Sequence, residues 1–131
     1  MIIETFLLSD AATDSQGKLN VLGAFDTILV KSLPATHPAC AVAIRIRFKP
    51  TEYGLHNIEI ALKDSKSKGI IAPATIKLDV KSTDSLMPSA SVNVIMNING
   101  LKIESSGTHT ISLVVDKKEI ASIPLFVKIM A

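Results

Sequence analysis

The sequence has few of the residues that cross-link a chain or stack on ligands. Among its 131 residues are one cysteine, one tyrosine, four phenylalanines and no tryptophan. A single thiol, Cys40, excludes a disulfide within the chain, and nothing accompanies it at the spacing of a zinc site or a redox pair. We therefore expect a fold without covalent cross-links and a reducing, cytoplasmic location.

Net charge and long apolar runs are also scarce. Fourteen basic and twelve acidic residues give a net charge of +2, which is too small to attract nucleic acid strongly. Every apolar run is interrupted well before the ~20 residues of a membrane helix. The start, Met1, Ile2 and Ile3 followed by Glu4, does not resemble a signal peptide. We expect no nucleic-acid partner, no membrane span and no export.

The main pattern in the sequence is alternation with a period of two, which is typical of strands with one buried face. In the run 40–48, Cys40, Val42, Ile44, Ile46 and Phe48 share one parity. Similar runs occur at 57–63, 75–80, 92–99 and 110–115, with loops expected at 10–17, 33–38, 50–54, 64–69, 82–89 and 100–107. Further strands near 2–8, at 18–30 and at 120–129 bring the total to about eight. The sequence thus predicts an all-β fold, a single antiparallel β-sandwich spanning residues 1–131, with a tight hairpin at Lys117 and Lys118.

Two stretches of the chain resemble known proteins. The first is GKLNVLGAFD at 17–26, and the second comprises NGL at 99–101 and GTHTISL at 107–113, continuing to PLFV at 124–127. Together they resemble a bacterial family of uncharacterised small proteins with an immunoglobulin-like sandwich fold. The resemblance covers nearly the whole chain and implies that fold. Because its motifs are turn and core positions, it implies no functional residue.

Motifs of catalysis, cofactor binding and metal binding are absent from the sequence. There is no Gly-x-Ser-x-Gly motif, no phosphate-binding glycine loop and no histidine pair at ligand spacing. His37 is expected to be exposed, and an enzyme would need His56, His109 and a carboxylate to converge in one pocket. Cys40 has core parity and is expected to be a small buried hydrophobe. We predict no enzyme activity, no catalytic residue, no cofactor and no metal.

Basic side chains take the outward positions of three predicted strands and their ends. They would form a basic stripe if these strands were neighbours, but base-stacking aromatic residues are nearly absent. A solvated surface is the better interpretation. The six residues are Arg45, Arg47, Lys49, Lys63, Lys77 and Lys81.

The last predicted strand is apolar on both faces. One parity is a complete core face, and the other carries Ile120, Phe126 and Met130. A sandwich has one interior, so we expect the second face to be covered by self-association in a twofold homodimer. The alternative cover is the chain's own loops near Leu33 and Leu86. The core-face residues are Ala121, Ile123, Leu125, Val127 and Ile129.

Two functions are compatible with these features. The first is a non-enzymatic protein-interaction or structural module that contacts a protein partner or itself. The alternative is a small-ligand domain, for example for carbohydrate, that binds through loops at one end of the sandwich. Carbohydrate sites use aromatic platforms, and the small number of aromatic residues favours the first interpretation.

Overall fold

The computed structural model describes residues 1–71, 73–82 and 84–130, which form nine β-strands. Apart from a short 3₁₀ turn at Pro50–Glu52, no helix occurs among these residues, and none that could span a membrane. The prediction of an all-β fold is confirmed. The strands are β1 (Ile2–Ser15), β2 (Lys18–Phe25), β3 (Thr27–Val30), β4 (Ala35–Phe48), β5 (Gly54–Lys63), β6 (Ala74–Val80), β7 (Ala90–Ile103), β8 (Gly107–Val115) and β9 (Lys118–Ile129).

The strands form two sheets, ordered β2-β1-β4-β7 and β3-β9-β8-β5-β6. The count of nine differs from the predicted eight because the single strand predicted at 18–30 divides at Asp26. Before this residue β2 pairs with β1, and after it β3 pairs with β9 in the other sheet. The β3–β9 pairing is parallel, so the fold is not wholly antiparallel. The carbonyl of Asp26 accepts a hydrogen bond from the Phe126 N–H at 2.7 Å.

The core lies between the two sheets and follows the predicted parity. The even-numbered residues from Cys40 to Phe48 are all buried, because successive side chains of β4 alternate between the two faces of its sheet. They share one hydrophobic cluster with side chains from the second sheet. Each large apolar side chain buried in this way contributes roughly 1.5–3 kcal/mol. The second-sheet members include Ile58, Ile60, Leu62, Ile111, Leu113 and Leu125.

The first sheet curls back over its own outer face. The Asn93 side chain donates to the Asp14 carboxylate at 2.9 Å and to the Gly17 carbonyl at 3.1 Å, although Asp14 is on β1 and Asn93 on β7. In a flat sheet β4 would separate these strands, so β1 must bend to bring the β1–β2 turn over β4. Small residues permit the bend, since Ala41 and Ala43 of β4 are buried on that outer face.

The prediction of a loop at 10–17 is therefore wrong, because β1 continues to Ser15 and pairs with β2 up to that residue. The turn itself contains only Gln16 and Gly17, with φ of 55° and 80°. Positive φ at both central residues is the geometry of the two-residue hairpin turns whose twist matches that of the strands. The polar residues of 10–17 thus lie mostly in a hairpin.

Candidate functional site

Large apolar side chains are exposed on the outward face of β3 and β9. The exposed fractions are 56% for Leu29, 40% for Phe126 and 42% for Met130. In the β3–β9 register Leu29 lies opposite Lys128, so Leu29, Phe126 and Met130 share one face of the sheet. We call these three residues the β9 patch. It contains two of the three residues predicted for self-association.

Ile120, the third predicted residue, lies elsewhere. The β8–β9 register shifts so that Leu113 faces Ala121 whereas Val114 faces Glu119. Ile120 is the extra residue of this β-bulge, and its half-buried side chain packs against the core. An extra residue reverses the parity of a strand locally, and for this reason alternation placed Ile120 with Phe126.

The loops near Leu33 and Leu86, predicted as the alternative cover, leave the three side chains of the β9 patch exposed. Leu86 is itself 88% exposed, and Leu33 packs against the core. Ile129, predicted to be in the core, is 46% exposed because it is the last residue of β9.

A hydrogen-bonded histidine lies at one end of the two packed sheets. Nδ1 of His56 is 2.6 Å from the Asp116 carboxylate, and its Nε2 is 2.6 Å from the Glu52 carbonyl oxygen. Both neighbours are acceptors, so only the doubly protonated ring satisfies both contacts. The Glu52 carbonyl and then the Asp116 carboxylate raise the pKa of His56. With both nitrogens engaged, the ring has no free position for proton transfer and acts as an anchor.

Asp116 connects this histidine to the β8–β9 turn. Its other carboxylate oxygen accepts the Asn57 N–H at 2.8 Å, and this bond and the His56 ring lower the pKa of Asp116. The central turn residues are Asp116 and Lys117, with φ of 51° and 69°. The predicted hairpin exists, but its turn is one residue earlier than Lys117 and Lys118, because Val115 pairs with Lys118.

The six basic residues form no single stripe. Arg45 and Arg47 are on the first sheet, where their Nε atoms lie 3.1 and 2.8 Å from the two carboxylate oxygens of Glu4. The hydrogen bond from Arg47 is the main cause of the lowered pKa of Glu4. Lys63 and Lys77 are on β5 and β6 of the other sheet. The two arginines hold β1 to β4, and Arg45 also donates to the carbonyl of Gly17.

The three groups of the enzyme hypothesis do not come together. His109 lies near the start of β8, and Asp116 follows the end of the same strand. The two residues are therefore roughly 23 Å apart along an extended strand. His56, bound to Asp116, is therefore at the opposite end from His109. His109 is buried, with Nδ1 3.4 Å from the Gly107 carbonyl oxygen. His37 is half-buried against Phe25 instead of exposed.

A small cavity of about 160 Å³ lies between the loops at the His109 end. No aromatic side chain lines it. In the described ranges, no group of three His, Cys, Asp or Glu residues is placed to hold a metal ion. Cys40 is buried as predicted, and burial raises the pKa of its thiol. The cavity is lined by Asp64, Lys68, Gly69, Ile70, Lys102, Glu104 and Ser105.

Solved structures share this fold at low sequence identity. Pseudomonas fluorescens alkylpurine DNA glycosylase AlkC, bound to DNA containing an abasic site analog, matches with a TM-score of 0.54 at 11% identity, over 96% of this chain and 30% of that one. Listeria innocua β-glucosidase in complex with isofagomine matches with a TM-score of 0.53 at 12% identity, over 96% of this chain and 17% of the other. Its glucose complex gives 0.54 at 11% identity, with 96% and 16% covered. This chain therefore spans less than a third of each of these proteins, and the likeness is one of fold.

Comparison by sequence identifies the family. No curated protein matches the chain significantly. The model of the family of unknown function DUF6941 matches residues 4–128, which is nearly the whole sequence. The chain is a member of this family.

Proposed function

We propose that the chain is a non-enzymatic protein-interaction module that binds a second copy of itself through the β9 patch. The observation that supports this is the exposure of Leu29, Phe126 and Met130 on one sheet face. Monomers rarely leave large contiguous apolar patches uncovered, and twofold dimers are the commonest closed assemblies. Burial of Phe126 would contribute about 1.5–3 kcal/mol per subunit.

The charges around the β9 patch are compatible with a twofold contact. Lys128 lies opposite Leu29 in the register, and Asp26 immediately precedes β3. Both side chains are exposed. A twofold axis midway between Asp26 and Lys128, and perpendicular to the line that joins them, would bring each residue toward its opposite charge on the partner, which favours the correct orientation more than it adds affinity.

We also infer that the sandwich is immunoglobulin-like. The order β1-β4-β7 corresponds to strands A, B and E of that fold, and β5-β8-β9 corresponds to C, F and G. A bacterial, cytoplasmic setting belongs to this proposal. It is supported by the family resemblance of the two motifs and by the free, buried thiol of Cys40.

Light scattering coupled to size-exclusion chromatography tests the β9 patch. We expect Phe126→Glu to halve the mass of the wild-type assembly while the far-UV circular dichroism stays unchanged. The matched control is Thr75→Glu, an exposed residue of β6 on the same sheet, and it should keep the wild-type mass. A wild-type mass of one chain at micromolar concentration, or an unchanged mass for Phe126→Glu, would contradict the proposal.

The small-ligand alternative has less support. The cavity beside Lys68 and Lys102, at about 160 Å³, is smaller than the roughly 300–1,000 Å³ of typical ligand pockets. A neighbouring surface pocket beside Pro34 and Thr36 reaches about 320 Å³, but neither of the two offers an aromatic platform for a sugar. Saturable heat of binding on titration with mono- or disaccharides would favour this alternative over the interaction module.

A further inference from the structure

The two sheets have four edge strands, and three of them are protected against pairing. Exposed edges present unpaired N–H and C=O groups, and proteins protect them by short length, charge or bulges. Strand β3 has only four residues. Strand β6 carries Lys77 and Asp79. Strand β2 is interrupted by Gly23 at a φ of +70°, a backbone conformation that breaks the regular ladder.

The fourth edge, β7, lacks these protections over residues 90–99. The strand is 14 residues long, and both its charged residue, Lys102, and its glycine at positive φ, Gly100 (+65°), lie beyond this range. On one side β7 pairs with β4 over nearly its whole length. On its other side no strand pairs with it in the described part of the chain. Every second residue of an outer strand directs its backbone groups away from its neighbour, so β7 offers a long row of free donors and acceptors.

The pattern of β7 is symmetric about Ile95. Reading outward in either direction, the residues alternate apolar, polar, apolar, polar over the range 91–99. The register with β4 puts Val92, Val94, Met96 and Ile98 on the core face. Ser91, Asn93, Ile95, Asn97 and Asn99 are on the outer face.

We propose that β7 pairs antiparallel with β7 of a second copy about a twofold axis at Ile95. In this register Val94 faces Met96 and Val92 faces Ile98, so the apolar core face continues across the axis. On the outer face, Asn99 lies opposite Ser91 and Asn97 lies opposite Asn93, so polar side chains face polar side chains. A slip by one residue would place core side chains opposite polar ones. The symmetric pattern thus favours a second copy over an unrelated strand.

The extent of the pairing is adequate for a stable contact. An antiparallel overlap of residues 91–99 forms about one hydrogen bond per residue, or roughly eight to ten in all. A typical protein interface carries a similar number. An axis perpendicular to the sheet keeps both core faces on one side, and the two four-stranded sheets become one of eight strands.

This contact goes beyond the proposed function, because β7 and the β9 patch share no residue. Strand β7 is the edge of the first sheet that is farthest from β2, and β2 continues into β3 beside the patch. A chain with two separate twofold contacts builds tetramers, or open chains where the axes do not close. Phe126→Glu removes the β9 contact alone, so each contact can be tested without the other.

Cysteine cross-linking in the Phe126→Glu background tests the register. Added Ile95→Cys places two thiols directly opposite each other at the axis, where Cβ atoms are about 4.5–5.5 Å apart, close to the disulfide range. We expect a covalent dimer after mild oxidation. Asn99→Cys is the matched control, since its two copies would lie roughly 27 Å apart along the paired strands. The parent, which holds only the buried Cys40, measures the native thiol.

Absence of the Ile95→Cys cross-link, or equal cross-linking by Asn99→Cys, overturns the proposal. Light scattering provides the second measurement. The Phe126→Glu protein should be a dimer. Adding Ile95→Lys to it should give folded monomers, because two like charges then face each other at the axis. Adding Asn99→Lys instead should leave the Phe126→Glu protein dimeric. A Phe126→Glu mass of one chain also overturns the β7 contact, whereas equal dimer masses for wild type and Phe126→Glu overturn only the β9 contact. If Ile95→Lys unfolds, the cross-link decides.

Discussion

Replacement of His56 by glutamine tests whether a protonated imidazole anchors the β8–β9 turn. The ring contacts the Asp116 carboxylate and the Glu52 carbonyl oxygen, each at 2.6 Å. It also packs on the buried Phe48 ring, with centroids 4.8 Å apart. Glutamine can donate to one of the two acceptors but carries no charge. His56→Gln should therefore destabilise the protein while leaving the strands in place.

The magnitude follows from the exposure of the two partners. A hydrogen bond to a charged group contributes about 1.5–3 kcal/mol, and solvent screening reduces this for exposed pairs. The His56 side chain is 17% exposed, but that of Asp116 is 48% exposed. The contribution of the His56–Asp116 hydrogen bond therefore lies at or below the lower end of this range. We expect a loss of about 2 kcal/mol in the free energy of unfolding at mildly acidic pH.

The pH dependence identifies the charged ring. The folded-state pKa of His56 is raised, so its contribution is complete below the unfolded pKa of about 6.5 and is lost as the pH rises through the folded pKa. The pKa of Asp116 is lowered, so its contribution is present above about 3.9 and is lost as the pH falls through its folded pKa. The difference between wild type and His56→Gln should be largest between these limits and should shrink at alkaline pH.

Urea unfolding at about pH 5.5 and about pH 9, on either side of the ordinary histidine pKa, measures this difference. All proteins are compared at one concentration, because self-association couples to stability. Lys77→Gln is the control, since Lys77 lines the same surface pocket as His56 and its loss removes a positive charge without these bonds. A difference of equal size at both pH values for His56→Gln would refute the protonated ring.

Three further substitutions test local features of the fold. Lys117→Gly should raise the free energy of unfolding by roughly 0.5–1 kcal/mol, and with it the melting temperature, because it removes a side chain from a position of positive φ; a lower melting temperature would mean that the Lys117 side chain makes a stabilising contact. Gly23→Ala should destabilise by more than about 1 kcal/mol, since its Cβ would lie 2.5 Å from the Asp10 carboxylate, and Asp10→Ala should recover part of the loss in urea unfolding. Ala43→Leu should cost about 1–3 kcal/mol, because Ala43 is fully buried on the face over which the β1–β2 hairpin curls; an unchanged urea midpoint would show that a larger side chain is accommodated there without loss of packing.

Alternation along the chain predicted most of the core correctly. From Cys40 to Phe48 the parity of the apolar residues alone identified the buried face of β4, and the same held for Ile58, Ile60 and Leu62 of β5. These predictions succeed because side chains on a strand alternate regardless of what the strand packs against. The exposure of Phe126 and Met130 also followed from parity.

Where the backbone departs from regular geometry, parity predicted the wrong side or the wrong element. The β-bulge turned Ile120 toward the core. The pairing of β1 with β2 converted a polar stretch, expected to be a loop, into strand. Both outcomes depend on which strands become neighbours, and that is information that no local window of sequence contains.

The class of fold, the buried face of most strands and the lack of recognisable catalytic or metal-binding motifs could be read from the residues alone, because these depend on residue type and on a period of two. The three-dimensional fold was needed to show that 18–30 divides between two sheets at Asp26, that the first sheet curls, and that His56 meets Asp116 across 60 positions of sequence. It was also needed to show which strand edge lacks protection. These features depend on contacts between distant segments, whose geometry is set by the packing of the two sheets.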